Sequence, residues 1–201
     1  MDEKKAGKFA DYAAELIKWN KKMNLTAITS PIDIAVKHFI DSLIILPILS
    51  DNISLLDIGS GGGFPGIPIK IVRDDIKVSL IESSNKKTNF LRQIIRMLKL
   101  TDIKAFDIRA EAAKDIADFS YNFDVVVCRG FASFLNFLKT ASYFIKKQGI
   151  IIAFKGKNWK SELEEVISVY PDFNFNVYEY KLPVLNHKRG IITAQIQSCK
   201  G

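Results

Sequence analysis

Cysteine, arginine, linker-type proline and glycine runs, and long apolar stretches are all scarce in this sequence. Its 201 residues hold two cysteines, Cys128 and Cys199, far apart and without metal-type spacing. Neither a disulfide framework nor a cysteine-bound metal is therefore expected, and a reducing compartment is the natural reading. No apolar run approaches the roughly 18 residues of a membrane helix; the best one, 43–49, is interrupted by Pro47. The opening Met1-Asp2-Glu3-Lys4-Lys5 is charged and lacks an apolar segment, so a secretory signal is not expected and the cytoplasm is. Internal repeats and low-complexity tracts are missing as well, which excludes solenoids and disordered arrays.

What is present is ordinary globular material, with 48% hydrophobic and 25% charged residues, enough to bury a core. The length suits one compact α/β unit carrying a small helical addition. Lys and Arg number 29 against 22 Asp and Glu, a formal charge of +7. Such a balance favours phosphate polymers, so nucleic acid is a candidate partner.

The first fifty residues read as helix. Phe9, Tyr12, Leu16, Trp19 and Met23 recur in steps of three and four on one face. Ser30-Pro31 supplies an N-cap followed by proline at the first helical position, which predicts a second helix over 32–46. From residue 53 the period changes. Short β-branched runs at 54–58, 77–82, 103–108, 123–128 and 149–154 alternate with helical patterns near 67–72, 86–100, 111–117, 132–146 and 158–169. Continuous apolar strands separated by helices imply a parallel sheet covered on both faces. The last two runs, 173–182 and 189–197, have no helix between them and predict an antiparallel hairpin. The expected fold is thus α/β, a doubly wound, mostly parallel sheet with a C-terminal antiparallel hairpin. Residues 1–50 form an N-terminal helical extension and 51–201 the ligand-binding unit.

The sharpest local signal is Asp57-Ile58-Gly59-Ser60-Gly61-Gly62-Gly63-Phe64-Pro65-Gly66, between the first strand and a helix. Glycines there permit positive φ and close approach of a ligand. Gly59 and Gly61 fit the dinucleotide fingerprint, but Phe64 stands where its third glycine belongs. S-adenosylmethionine suits the residues better, because it carries a sulfonium and an ammonium and has no phosphate. Asp57, at the end of the first strand, suits its cationic methionyl end, directly or through water. Glu82 ends the second strand about 20 residues further on, where an acid accepts ribose hydroxyls. Asp107 and Glu111 flank the end of the third strand, within reach of an adenine amino group.

Read together, these residues resemble one family over about 19–196, the bacterial small-subunit ribosomal RNA methyltransferase G family, also called glucose-inhibited division protein B. The marks are Trp19-Asn20, Asn24-Leu25-Thr26, His38 with Asp41-Ser42, and the glycine turn extended by Ile67-Pro68. Further marks are Ser83 with Lys86-Lys87, Phe90-Leu91, Arg109-Ala110-Glu111, Arg129 with Phe131-Ala132-Ser133, and Lys155-Gly156. The sequence departs from the family in Cys128-Arg129-Gly130, where Ser-Arg-Ala is usual, and in Lys37-His38 for Arg-His. The resemblance implies a class I methyltransferase fold and methyl transfer from S-adenosylmethionine to N7 of one guanine in 16S rRNA, within the small subunit. It also implies cofactor contacts at Gly59, Phe64, Ala110, Glu111 and Arg129, with Gly63 in the same turn, and RNA contact near Arg189.

The implied chemistry is self-consistent. Guanine N7 holds an unshared in-plane pair, so no proton must leave before attack and no general base is required. Proximity and alignment then carry the rate. Arg129, closing the fourth strand, either orients the target base or contacts the cofactor. Lys155 is either a phosphate contact or a plain surface lysine. His38 and Asp41, at i and i+3, are either a structural pair or an RNA contact. Phe64 either packs on the cofactor or seals helix against sheet. Cys128 reads as a small buried hydrophobe. A single copy without metal is the expected working form. Rival readings are a methyltransferase acting on a protein or small molecule, and a non-catalytic S-adenosylmethionine-binding ribosome-assembly factor.

Overall fold

The computed structural model describes residues 2–117, 119–131, 133–156, 159–184 and 187–197. Of the positions named above, Met1, Ala132 and Cys199 lie outside them, as does residue 158 at the start of the last predicted helix. Asp2 opens α1 (Glu3–Met23) by accepting the Lys5 N–H at 2.8 Å, and Asn24 closes it in the left-handed conformation. The apolar stripe buries Phe9, Tyr12 and Leu16, while Trp19 is half-buried against Phe90, ring centroids 5.5 Å apart.

The second helical segment differs from expectation. Ser30 caps α2 (Pro31–Ile34), but the chain then widens into a π-helical stretch, Ala35–Ile40, before α3 (Asp41–Leu43) and a 3₁₀ turn at Leu46–Ile48. The apolar spacing that predicts one helix over 32–46 is insensitive to this widening. Such π segments cost hydrogen-bond geometry and are found where function holds them. Here the widened stretch offers the Lys37 carbonyl and the His38 ring to one guanidinium, that of Arg129.

Seven strands form one sheet in the order β3-β2-β1-β4-β5-β7-β6: β1 (Ser54–Ile58), β2 (Lys77–Glu82), β3 (Ile103–Asp107), β4 (Phe123–Arg129), β5 (Ile145–Lys155), β6 (Phe173–Lys181) and β7 (Lys188–Ile196). The first five are parallel, and β7 pairs antiparallel with both β5 and β6. Alternate residues serve two cores. Leu55, Val125 and Val127 face α1, α4 (Gly66–Val72) and α5 (Asn85–Met97); Leu56, Val126 and Cys128 face α6 (Ala110–Ala113), α7 (Phe134–Ala141) and α8 (Trp159–Val169). Among the described residues no helix is long and apolar enough to cross a membrane.

Three boundaries depart from the sequence pattern by four residues or more. The helix predicted over 111–117 stops at Ala113, and the one over 132–146 stops at Ala141. β5 begins four residues early, at Ile145, with its register against β4 jumping between Phe123 and Val125. Gly149 sits in that irregularity, where a Cβ would lie 2.6 Å from Ile145 Cδ1 and 2.9 Å from the Asp124 carbonyl. Apolar spacing alone does not distinguish such a bulged strand entry from a helix end.

The N-terminal helices have no core of their own. Phe9, Tyr12 and Leu16 belong to the same buried cluster as Leu55, Phe64, Ile67 and Phe90. Leu16→Ala is therefore expected to destabilise the whole chain by about 2–5 kcal/mol, the range for truncating a fully buried leucine. In urea titrations followed at Trp19 and Trp159, both signals should move together. A separate early transition confined to Trp19 would show that α1 unfolds by itself.

Candidate functional site

The glycine turn is built by backbone needs at each position. Gly59 and Ser60 donate their N–H groups to the Ile81 carbonyl at 2.9 and 3.1 Å, fixing the turn to the end of β2. Gly63 has φ of 93°, and a Cβ there would lie 2.5 Å from the Tyr12 hydroxyl and 2.6 Å from Ile67 Cδ1. Tyr12 donates to the Gly62 carbonyl, so α1 holds the turn from outside. At Gly66 a Cβ would lie 2.5 Å from Leu80 Cδ2 and 2.9 Å from Asp57 Oδ2. The bare backbone there lets the Gly66 N–H reach Asp57 Oδ2 at 2.9 Å.

Asp57 is fully buried, and its second oxygen, Oδ1, has no hydrogen-bond partner. Burial pushes its carboxyl up to about 7; the Gly66 N–H and the Arg129 charge oppose the shift, and Glu82 adds to it. Glu82 is buried too, and both its oxygens are engaged: Oε2 accepts the Gly61 N–H and Oε1 the Ser84 N–H, each at 2.9 Å. It braces the turn, and its remaining lone pairs are what it has left for a ligand. Asp107, its partner in register, is exposed and accepts from Asn85 Nδ2 at 2.5 Å. Gly61 has φ of 57°, and Gly59, with φ of 71°, faces open space.

Arg129 is the node of the site. Its guanidinium donates to the Lys37 carbonyl at 3.0 Å and to His38 Nδ1 at 2.9 Å, pairs with Asp41 Oδ2 at 3.4 Å, and lies 4.8 Å above the Phe64 ring. Burial lowers its pKa, which the Asp41 and Asp57 carboxylates counter. His38 stacks on Phe64 with centroids 4.3 Å apart, and burial with the adjacent Arg129 lowers its pKa to about 3. An arginine only donates, so neutral His38 accepts at Nδ1 and donates from Nε2 to Thr26 Oγ1, 2.9 Å away. Tyr180, from the hairpin, donates to Asp41 Oδ1 at 2.6 Å.

Two cavities open along this carboxyl edge. One of about 190 Å³ is lined by Ile58, Gly59, Ile81, Ala110, Glu111 and Phe131. The other, about 260 Å³, is walled by Asp41, Arg129, Gly130, Tyr180 and Arg189, among others. The 129–131 segment divides them. Of the sequence-predicted residues, Gly59, Ala110 and Glu111 meet in the first cavity, with Asp57, Gly61 and Glu82 in and behind the turn beside it. Phe64 is a different matter. It is buried among His38, Tyr12 and Arg129 and lines neither cavity, which favours its sealing role over cofactor packing.

The three expected RNA contacts, His38, Lys155 and Arg189, all line the second cavity. His38 is 7% exposed with both nitrogens bonded, so it forms part of the packing around Arg129. Lys155 is 8% exposed and ion-paired to Glu162 at 2.6 Å, while the same Glu162 oxygen accepts the Phe134 N–H. That pair ties β5 to α7 and α8. Arg189 keeps a buried Nε without a hydrogen-bond partner. Sequence reasoning missed Tyr180 and Tyr12. Both act on residues far along the chain, 139 and 50 positions away, and no local spacing signals either.

The family described as rRNA small subunit methyltransferase G matches residues 5–186 of this chain. The ribosomal RNA small subunit methyltransferase G of Acetivibrio thermocellus is 40% identical over 199 residues, covering 96% of this chain and 81% of that one. Its namesake in Geotalea uraniireducens is 39% identical over 193 residues, with 94% and 87% covered. Among solved structures, the O-methyltransferase from Bacillus cereus in complex with SAH superposes with a TM-score of 0.65 at 18% identity over 93% of this chain and 91% of that one. Precorrin-6y C5,15-methyltransferase from Geobacter metallireducens gives 0.60 at 18% identity, covering 78% and 87%. These structures share the fold.

The raised Asp57 pKa has a definite sign for stability. Between about pH 4 and 7 the folded chain holds a proton that the unfolded chain has released, so Asp57 lowers stability as pH rises through that window. Asp57→Asn keeps an acceptor for the Gly66 N–H and removes the titration. Its unfolding free energy relative to wild type should climb from pH 5 to 8 in urea titrations. Parallel curves for the two proteins would mean that Asp57 titrates normally.

Proposed function

The chain belongs to the rRNA small subunit methyltransferase G family, and from that premise we propose that it transfers a methyl group from S-adenosylmethionine to N7 of one guanine in 16S rRNA. The observation that carries the cofactor half is Asp57 Oδ1, a buried carboxylate oxygen without a partner beside the glycine turn. A buried carboxylate calls for a compensating cation, and the ammonium of S-adenosylmethionine is one. Gly59 opens onto the neighbouring cavity, which Ala110 and Glu111 also line; Asp107 and Glu111 suit the adenine amino group, and Glu82 the ribose. When bound, S-adenosylmethionine supplies an electrophilic methyl on its sulfonium.

The chain's own residues orient and exclude water. The acceptor atom, N7, needs no deprotonation, and the buried residues agree with that economy. His38 is held neutral with both nitrogens occupied, and Cys128 is buried with its thiol pKa pushed up, so neither serves as base or nucleophile. Arg129, Phe64 and His38 form a stacked cluster at the end of β4. Arg129 is in this reading a positioning residue, holding the 129–131 segment between the two cavities. Alignment of this kind is worth up to roughly 7–11 kcal/mol of barrier. The substrate is 16S rRNA, taken to be in the small subunit and met by one copy of the chain in the cytoplasm. The +7 charge supports a polyanionic partner.

Tritiated methyl transfer to small subunits and to free 16S rRNA, followed by mass mapping of 7-methylguanine, tests this reading. Label confined to another atom, to protein or to small molecules would overturn it. Because the ionised Asp57 is the form that binds a cation, S-adenosylmethionine affinity should strengthen as pH rises through 7. Asp57→Asn should weaken it by about tenfold or more, the scale of one buried charge-assisted contact, and flatten that pH dependence in calorimetry.

A further inference from the structure

We propose that the groove between the start of α8 and the turn end of the β6–β7 hairpin holds a single-stranded stretch of the RNA and leads its target base to the cavity beside Arg129. This rests on the methyltransferase reading above and assigns that reading a face of the molecule. The groove encloses about 540 Å³ and is lined by Trp159, Lys160, Tyr180, Lys181, Lys188 and Arg189, with Glu179 the one acid.

The charges there are arranged against the fold's own interest. In the hairpin register Lys181 stands directly opposite Lys188, and Tyr180 opposite Arg189. Like charges facing across an antiparallel pair destabilise it. Among the described residues, Lys160, Lys181 and Lys188 take part in none of the ion pairs. A polyanion laid across the hairpin end relieves that repulsion. In the adjoining cavity, by contrast, Arg129 and Lys155 are committed to Asp41 and Glu162.

An aromatic floor accompanies the charge. Trp159 is half-buried, its ring seated on the bare backbone of Gly190, where a Cβ would lie 2.8 Å from Trp159 Cδ1 and 3.0 Å from Nε1. Lys160 Nζ lies 5.5 Å from the ring centroid. A fixed aromatic plane inside a cationic groove is how proteins hold unpaired strands, by stacking with phosphate contacts alongside. Chemistry also demands an unpaired strand: in A-form helix, N7 lies in a deep, narrow major groove that side chains cannot enter.

The groove is continuous with the cavity of about 260 Å³, because Gly156, Tyr180 and Arg189 wall both. That cavity is smaller than the clefts of roughly 300–1,000 Å³ that hold drug-sized ligands, and it suits one everted base. Arg189, whose buried Nε has no hydrogen-bond partner, lines both hollows.

The test compares Lys160→Gln/Lys181→Gln/Lys188→Gln with a control set, Lys77→Gln/Lys99→Gln/Lys147→Gln, exposed lysines outside the groove. Binding of 16S rRNA is titrated across salt, with S-adenosylhomocysteine affinity and thermal midpoint measured alongside. The groove variant should bind RNA about tenfold or more weakly, and its slope of log K on log salt should shrink by about two, three phosphate contacts at roughly 0.7 each. The control set should stay within about threefold of wild type, and S-adenosylhomocysteine binding should be unchanged in both. Wild-type affinity and slope in a folded groove variant, or an equal loss in the control set, overturns the groove. A wild-type chain that does not bind or methylate 16S rRNA overturns instead the reading beneath it.

Discussion

The buried guanidinium of Arg129 is the constraint around which the rest of the molecule is arranged. A charge removed from water at the end of a central strand must be met by acceptors at close range. The first come from one π-helical stretch, through the Lys37 carbonyl and the His38 ring, and the Asp41 carboxylate follows from the next turn. A regular α-helix ties carbonyls into its own ladder, whereas the widened turn leaves Lys37 to serve Arg129. Asp41 in turn holds Tyr180, so three distant parts of the chain converge on one side chain. The N-terminal helices are in this sense a component of the sheet's carboxyl edge.

The second constraint is acidic. Asp57 and Glu82 stand at the ends of neighbouring strands, close enough that Glu82 contributes to raising the Asp57 pKa. Glu82 relaxes by accepting two backbone N–H groups, and Asp57 satisfies only one of its oxygens. Backbone donors thus separate a braced carboxylate from an uncompensated one. An edge built this way prefers cations, and Arg129, already committed to three acceptors, leaves that preference unsatisfied.

Much of this was legible in the sequence, and the illegible part has physical reasons. Apolar runs and the glycine turn specify the doubly wound sheet, because both signals are local. Asp57, Gly59, Glu82 and Glu111 announce themselves by position at or near strand ends, Ala110 through the family resemblance, and the structure gathers them around one crevice. The spacing of His38 and Asp41 marks them as partners on a helix, yet what joins them is Arg129, 91 and 88 residues away. Lys155 reads as a surface cation because nothing in its neighbourhood tells that Glu162, one helix later, swings back to neutralise it. Period analysis sees faces; it does not see closures between elements far apart in the chain, and Phe64, Tyr12 and Tyr180 owe their roles to such closures.

The reversed end of the sheet follows from the same geometry. A parallel strand after β5 would require a crossover, placing its amino end on the far edge. Because β7 instead runs antiparallel to β5, Gly190 near its start lies beside Lys155 at the end of β5. β6, antiparallel to β7, then finishes at Lys181 on that same edge. The hairpin's turn-side cations are thereby delivered to the carboxyl edge, where open α/β sheets bind their ligands. Had the last two strands joined the sheet in the parallel sense, Lys181 would still end its strand there, but Lys188 would begin its own at the opposite edge. The antiparallel insertion is what sets two lysines face to face at the carboxyl edge.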